Sequence, residues 1–220
     1  MNKLMLYFAC GLFYISTLAI ESTSPSKDTS MIIDELYKHI NGFSISEQER
    51  TQVRQKGGNP TYGEITYKGA AELFKKLNLT NNDVLVDLGS GVGKLVVQVA
   101  LDTPAHAIGV ELSKTRYDHA VSVQKELVKR GLASEKKIEF INKNISDVDI
   151  PNATVVFMCS TCFSDELMRK LTDKLSKLKK GLRVVTLRKL PEPNKFSFIE
   201  TLQLPMTWSN STLVYVYNLG

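Results

Sequence analysis

The sequence predicts an α/β fold in which a sheet of seven strands is covered by helices on both faces, with a short helical cap in front. Three observations lead there. From Asp83 onward, short β-branched runs alternate with longer runs of helical period. A glycine-rich loop joins the first of those strands to the first of those helices. Acids, Asp87 and Glu111, stand where two successive strands end. Strands alternating with helices imply a largely parallel sheet, and right-handed crossovers then fix most of its topology.

The chain has 220 residues, 43% hydrophobic and 23% charged, with a formal net charge of +5. That composition excludes general disorder and allows about one domain with a sizeable core. The mild positive balance permits an acidic partner without requiring one. Residues 1–20 read differently from the rest. Lys3 precedes an apolar run from Leu4 to Ile20, the pattern of a signal peptide or of an uncleaved membrane anchor. Either would make the protein secreted or membrane-anchored. Residues 21–30 are polar and rich in Ser and Thr, a linker. Residues 31–60 carry the helical cap: Ile32, Ile33, Leu36, Tyr37 and Ile40 recur at three- and four-residue steps, and Ser46 with Glu49 forms a capping-box pattern before the stop at 57–60. Residues 61–220 form the main domain.

Within it, the expected strands are Val84–Val86, Ala105–Val110, Lys137–Ile141, Thr154–Met158, Leu182–Leu187, Phe196–Leu202 and Ser211–Tyr217. The expected helices are Gly93–Leu101, Ser113–Arg130 and Ser164–Lys180, the last capped by Ser164 and stopped at Gly181. The loop from Asp87 through Gly89, Ser90, Gly91 and Gly93 to Lys94 carries the chemistry. Its glycines let backbone approach a ligand closely, and the helix start offers free N–H groups. A carboxylate at Asp87 repels a pyrophosphate but suits a cationic amino-acid end or a sulfonium. Glu111, about 20 residues past the loop at the end of the next strand, is placed to accept from ribose hydroxyls. A structural turn with two surface acids explains less of this order.

The segment Asp87–Ala100, DLGSGVGKLVVQVA, resembles the cofactor loop of the disruptor-of-telomeric-silencing family, the histone lysine methyltransferases that lack a SET domain. Tyr62-Gly63-Glu64-Ile65-Thr66 resembles that family's lid, Gly109-Val110-Glu111 its ribose-binding strand end, and Trp208 with Val214–Tyr217 its final strand. The resemblance spans roughly residues 60–220. It implies a Rossmann-like class I methyltransferase fold with a mixed sheet, S-adenosylmethionine (SAM) as cofactor, and a protein lysine, histone-type, as methyl acceptor. It also implies that Tyr62, Glu64, Thr66, Asp87, Gly89, Ser90, Gly91, Gly93, Lys94, Glu111 and Asn144 bind SAM, with Cys159, Phe163 and Glu64 at the acceptor. Two departures stand out. Asn144 takes the place of an aspartate near the adenine, and Cys159-Ser160 replaces paired asparagines in the acceptor channel. Non-histone acceptors (another protein, a small molecule, a nucleic acid) therefore stay open, as does a SAM-binding domain without catalysis.

The spacing of Cys159 and Cys162 occurs in redox and metal sites, and also fits two small residues at a strand end. One pair cannot complete a four-ligand zinc site, and no metal is expected. The basic run Arg169, Lys170, Lys174, Lys177, Lys179 and Lys180 reads as a solvated face, with nucleic-acid contact the minority reading because no aromatics are interleaved. Membrane contact is expected only through the leader.

Overall fold

The computed structural model describes residues 27–220. The leader and most of the expected linker lie outside the described residues. Helix α1 (Lys27–Leu36) begins inside the stretch expected to be linker and buries Ile33, while Tyr37 packs beside it in the turn that follows. Helix α2 (Glu47–Gln55) starts at Ser46, whose hydroxyl accepts from the Glu49 N–H at 3.1 Å. Only this half of the expected capping box forms. The Glu49 carboxylate reaches across the molecule instead, accepting from Ser113 Oγ (2.6 Å), Thr115 N (2.9 Å) and Thr115 Oγ1 (2.5 Å).

Helix α3 (Tyr67–Leu77) is an element the sequence reading passes over. Its signals are the Thr66 cap and the buried spacing Ala70, Leu73, Phe74, Leu77, which turns one apolar face to the core. The alternating region then runs β1 (Val84–Leu88), α4 (Lys94–Asp102), β2 (His106–Glu111), α5 (Lys114–Lys129), β3 (Ile138–Asn142), β4 (Val155–Met158), α6 (Asp165–Leu175) and β5 (Arg183–Thr186). Helix α6 stops five residues short of the expected Lys180. Ser176 turns its hydroxyl back onto the Asp173 carbonyl at 2.8 Å, and local bonding of this kind competes with further helix. The last two strands are longer than expected. β6 (Phe196–Met206) and β7 (Ser209–Leu219) form one long antiparallel hairpin with Thr207 and Trp208 in its turn.

The seven strands lie in the order β3-β2-β1-β4-β5-β7-β6. β1 to β5 are parallel, and β7 runs antiparallel to both neighbours. The predicted mixed seven-stranded sheet is thus the observed one. Alternate side chains feed two cores. Leu85, Ala107, Val155, Phe157 and Val185 pack with α1, α3, α4 and α5, whereas Val86, Leu88, Val110, Val156 and Val184 pack with α6. The chain winds outward in both directions from β1, so the carboxyl ends of β1, β2 and β4 open onto the crevice where such sheets hold ligands.

Candidate functional site

A cavity of about 370 Å³ occupies that crevice. This size lies within the usual range for small-molecule sites. Its floor is the loop after β1. Gly91 has φ +56°, and a Cβ there would lie 2.5 Å from the Tyr62 ring, so only glycine fits. The Gly91 N–H donates to Glu111 Oε2 at 2.8 Å, and the Ser113 N–H donates to Glu111 Oε1 at 2.7 Å. Glu111 is thereby clamped at the end of β2 with lone pairs still open. Burial raises its pKa, while those N–H groups and the Arg116 charge act the other way.

Asp87, one strand over, is different. Its Oδ1 is buried and has no hydrogen-bond partner, and Ser90 Oγ in the same loop is equally orphaned. Burial, and then the neighbouring Glu111, push the Asp87 carboxyl up to about 8. Orphaned polar atoms at the base of a cavity are the mark of a ligand's place.

The segment 62–66 forms one wall. Tyr62 donates its hydroxyl to Glu64 Oε1, and Lys94 Nζ donates to Glu64 Oε2 at 2.8 Å. The wall is tied to the β6–β7 turn: Thr207 N–H donates to the Glu64 carbonyl at 2.8 Å and Thr66 N–H to the Pro205 carbonyl at 3.1 Å. At the far end stand Cys159, Thr161, Cys162, Phe163 and Trp208. Cys159 is half-buried, its thiol 3.8 Å from the Gly63 carbonyl; burial, then Asp87, push it up to about 12. Both Cys159 and Cys162 are free thiols, the first half-buried and the second exposed. Among the described residues no group of three or more His, Cys, Asp or Glu could hold a metal ion.

Of the residues expected at the site, Tyr62, Glu64, Asp87, Gly89, Ser90, Gly91, Lys94, Glu111, Asn144, Cys159 and Phe163 line this one cavity. Two do not. Thr66 caps α3, accepting from the Gly69 N–H and donating to the Pro205 carbonyl, both at 3.1 Å. Gly93 opens α4 beneath Phe140, whose ring would lie 2.5 Å from an added Cβ, so its smallness serves packing. Asn144 uses its amide on the Lys56 carbonyl (2.8 Å) and on Ser146, fixing the loop at 57–59 that closes the opposite wall. Ser160 is fully buried and bonds the chain after β5 through the N–H groups of Leu187 and Arg188.

Sequence reasoning missed Arg116, Leu112, Val53 and the wall role of Trp208. Arg116 gives no sequence signal, because a cation in the first turn of a helix normally faces water. Along the basic run, Lys174 is engaged with three backbone carbonyls and Lys177 with Asp173 at 2.6 Å.

The strand order, the reversal beside β1 and the acid-flanked glycine loop define a class I methyltransferase fold of Rossmann type. Solved structures share it. An RNA methyltransferase from Salinibacter ruber in complex with S-adenosyl-L-homocysteine matches with a TM-score of 0.56 and 24% identity, over 70% of this chain and 92% of that one. Magnesium protoporphyrin IX methyltransferase from Synechocystis with bound SAM matches with a TM-score of 0.56 and 15% identity, over 90% and 100%. The family described as histone methylation protein DOT1 matches residues 43–208, and the chain belongs to it. A histone-lysine N-methyltransferase, H3 lysine-79 specific, from Emericella nidulans is 31% identical over 88% of this chain and 44% of its own length. Its namesake from Aspergillus fumigatus is 28% identical over 82% and 39%. The chain thus spans less than half of these relatives.

The family corrects one expectation. A secreted or membrane-anchored protein does not fit relatives named for acting on histone H3. Among the described residues no helix is long and apolar enough to cross a membrane. The apolar run at 4–20, on which the signal-peptide reading rests, lies outside the described residues.

Proposed function

We propose that this chain is a SAM-dependent methyltransferase whose acceptor is a protein lysine, of histone type. The observation that carries the proposal is the buried Asp87–Glu111 pair flanking the glycine loop, with Asp87 Oδ1 and Ser90 Oγ waiting for partners. These residues fit SAM. Glu111 would take the ribose hydroxyls, Asp87 and Ser90 the cationic amino-acid end, and Gly89 and Gly91 would let it lie against backbone, with Tyr62, Glu64 and Lys94 as a cover and Asn144 beside the base.

When bound, SAM supplies a methyl group already activated on a sulfonium. The chain must align the acceptor and keep water out. Cys159, Phe163 and Trp208 give the acceptor end a mainly apolar wall, which disfavours a charged ammonium and so helps a lysine amine shed its proton. The Cys159 thiol stays protonated and is no base. Both Glu64 oxygens are already engaged, so this residue positions the cover. The lysine would give its proton to bulk water before the amine is enclosed, since no base stands at this wall.

Calorimetric titration of the purified protein with SAM tests the site. Asp87→Ala and Glu111→Ala should each weaken binding about 10- to 100-fold; unchanged affinity in both refutes the assignment. Affinity should rise from pH 6 toward pH 8, above which the ligand's own ammonium begins to lose its charge. Below about pH 8 the Asp87 carboxyl carries a proton that a cationic ligand must displace, so binding releases protons there. Radiolabelled methyl transfer to histones, other lysate proteins and RNA tests the acceptor. A second reading, a non-histone acceptor, is favoured by the thiol at Cys159 where the family places a carboxamide. Label confined to non-protein material would overturn the lysine reading, and SAM binding without any product would favour a binding domain.

A further inference from the structure

Arg116 sits in the first turn of α5, is only 4% exposed, and lines the cavity. Its guanidinium is shared between two loops far apart in sequence. Nε donates to the Gly42 carbonyl at 2.9 Å, and Nη2 donates to the Pro60 carbonyl at 2.7 Å. Its guanidinium carbon lies over the Tyr62 ring, 4.7 Å from the centroid. No carboxylate among the described residues lies within ion-pair distance of it. The titratable and charged groups facing it are Glu111 from the end of β2, Tyr62 from the cover, and Glu49 and Arg50 from α2.

Tyr62 has no room to move independently. It is wedged between Gly42 and Gly91, where an added Cβ would lie 2.1 Å and 2.5 Å from its ring, and it meets the edge of Phe43 at 5.0 Å. Whatever holds the Arg116 fork therefore holds the cap loop at Gly42, the start of the cover at Pro60, and the ring closing the glycine loop. Lysine cannot replace that fork, because two divergent carbonyls need the planar, fixed geometry of a guanidinium.

We propose that Arg116 is a positioning residue that couples occupancy at Glu111 to closure of the 42–62 segment over the cavity. The inference rests on the SAM-binding reading of Glu111 given above. A ligand that keeps Glu111 ionised strengthens the field that seats Arg116, and the seated Arg116 keeps the wall shut. By linkage, closing the wall then favours the ligand equally.

The test is hydrogen exchange of residues 40–66 with and without SAM, together with SAM affinity from pH 6 to 9, in the full chain and its Arg116→Gln and Arg116→Lys variants. In the unsubstituted protein SAM should slow exchange across 40–66. Arg116→Gln should abolish that protection and weaken SAM about tenfold. Its affinity should also begin to fall at a higher pH as the solution is acidified, since Glu111 loses the cation that favours its charged form. Arg116→Lys, which keeps the charge and covers the case of a Gln variant that does not fold, should retain the pH profile but lose the protection. Failure of the unsubstituted protein to bind SAM overturns the functional reading, and this inference with it. Normal SAM binding with unchanged affinity, pH profile and protection in both variants overturns this inference alone.

Discussion

The two ends of β1 carry one acid each, four residues apart, and the molecule treats them in opposite ways. Asp83, just before the strand, is saturated. It accepts from Thr80 N (2.8 Å), Thr80 Oγ1 (2.9 Å) and Thr154 Oγ1 (2.8 Å), and it pairs with Arg183 at 2.5 Å. Burial works against its charge, but these donors and the Arg183 cation outweigh it and hold the carboxyl below its usual range. Asp87, at the other end, is more deeply buried and has one oxygen without any donor. A satisfied buried acid strengthens a fold, whereas an unsatisfied one weakens it and persists because something else completes it. The contrast separates the structural end of the sheet from the functional end without reference to any ligand.

The contrast breaks most readily by substitution. Asp83→Ala should cost about 2 kcal/mol of unfolding free energy by leaving the Thr80 and Thr154 donors and the Arg183 guanidinium without their acceptor, and should leave SAM affinity unchanged. Chemical denaturation with parallel titration checks both halves. Loss of SAM binding there would mean that the two ends are not separate. Its pH dependence has a definite sign. The Asp83 contribution is full at neutral pH and is lost as pH falls through its lowered folded value, so the gap between this variant and the parent should close in acid.

Asp87→Asn should act in the reverse direction. A carboxyl whose folded pKa is raised to about 8 holds its proton in the folded state longer than in the unfolded chain, so stability falls as pH rises from about 4 to about 8. Asparagine removes that penalty. The variant should melt about 3–6 °C higher than the parent at pH 9, and show no gain near pH 3. A parent that is equally stable at pH 5 and pH 9 would contradict the raised value. The smallest effect belongs to Thr66. Thr66→Ala should lower stability by about 1 kcal/mol through loss of the α3 cap while SAM affinity holds, since the side chain faces away from the cavity.

Much of this was legible in advance, for identifiable reasons. Alternating strands and helices are written in residue periodicity, and the acid–glycine loop is a local pattern whose geometry follows from glycine's freedom at Gly91. What the sequence hides is long-range. Helix α3 is hidden because its cap, Thr66, falls at the end of the lid motif and is assigned there to the ligand, whereas its hydroxyl serves a helix end. Gly93 looks like its neighbours in the loop, yet its Cα faces Phe140 on β3, a partner 47 positions away. Arg116 is invisible for the same reason: only the folded chain shows that the carbonyls of Gly42 and Pro60 meet beside it. The acceptor end lies between these cases. Cys159 and Phe163 could be placed by motif, but Trp208 enters the wall only because the β6–β7 hairpin extends to Met206 and folds its turn back over Gly63.

The reach of Glu49 from α2 to the start of α5 bears on how the protein is best handled at the bench. A tidy boundary at 60/61 suggests itself from the change in texture along the chain, and a shortened version starting at Thr61 would look complete on paper. Such trimming would strip Val53 and Gly57–Asn59 from the crevice, leave the first turn of α5 without the acid that clasps it, and deprive Arg116 of both carbonyls. The result would be an unroofed pocket, so expression work should keep everything from Lys27 onward.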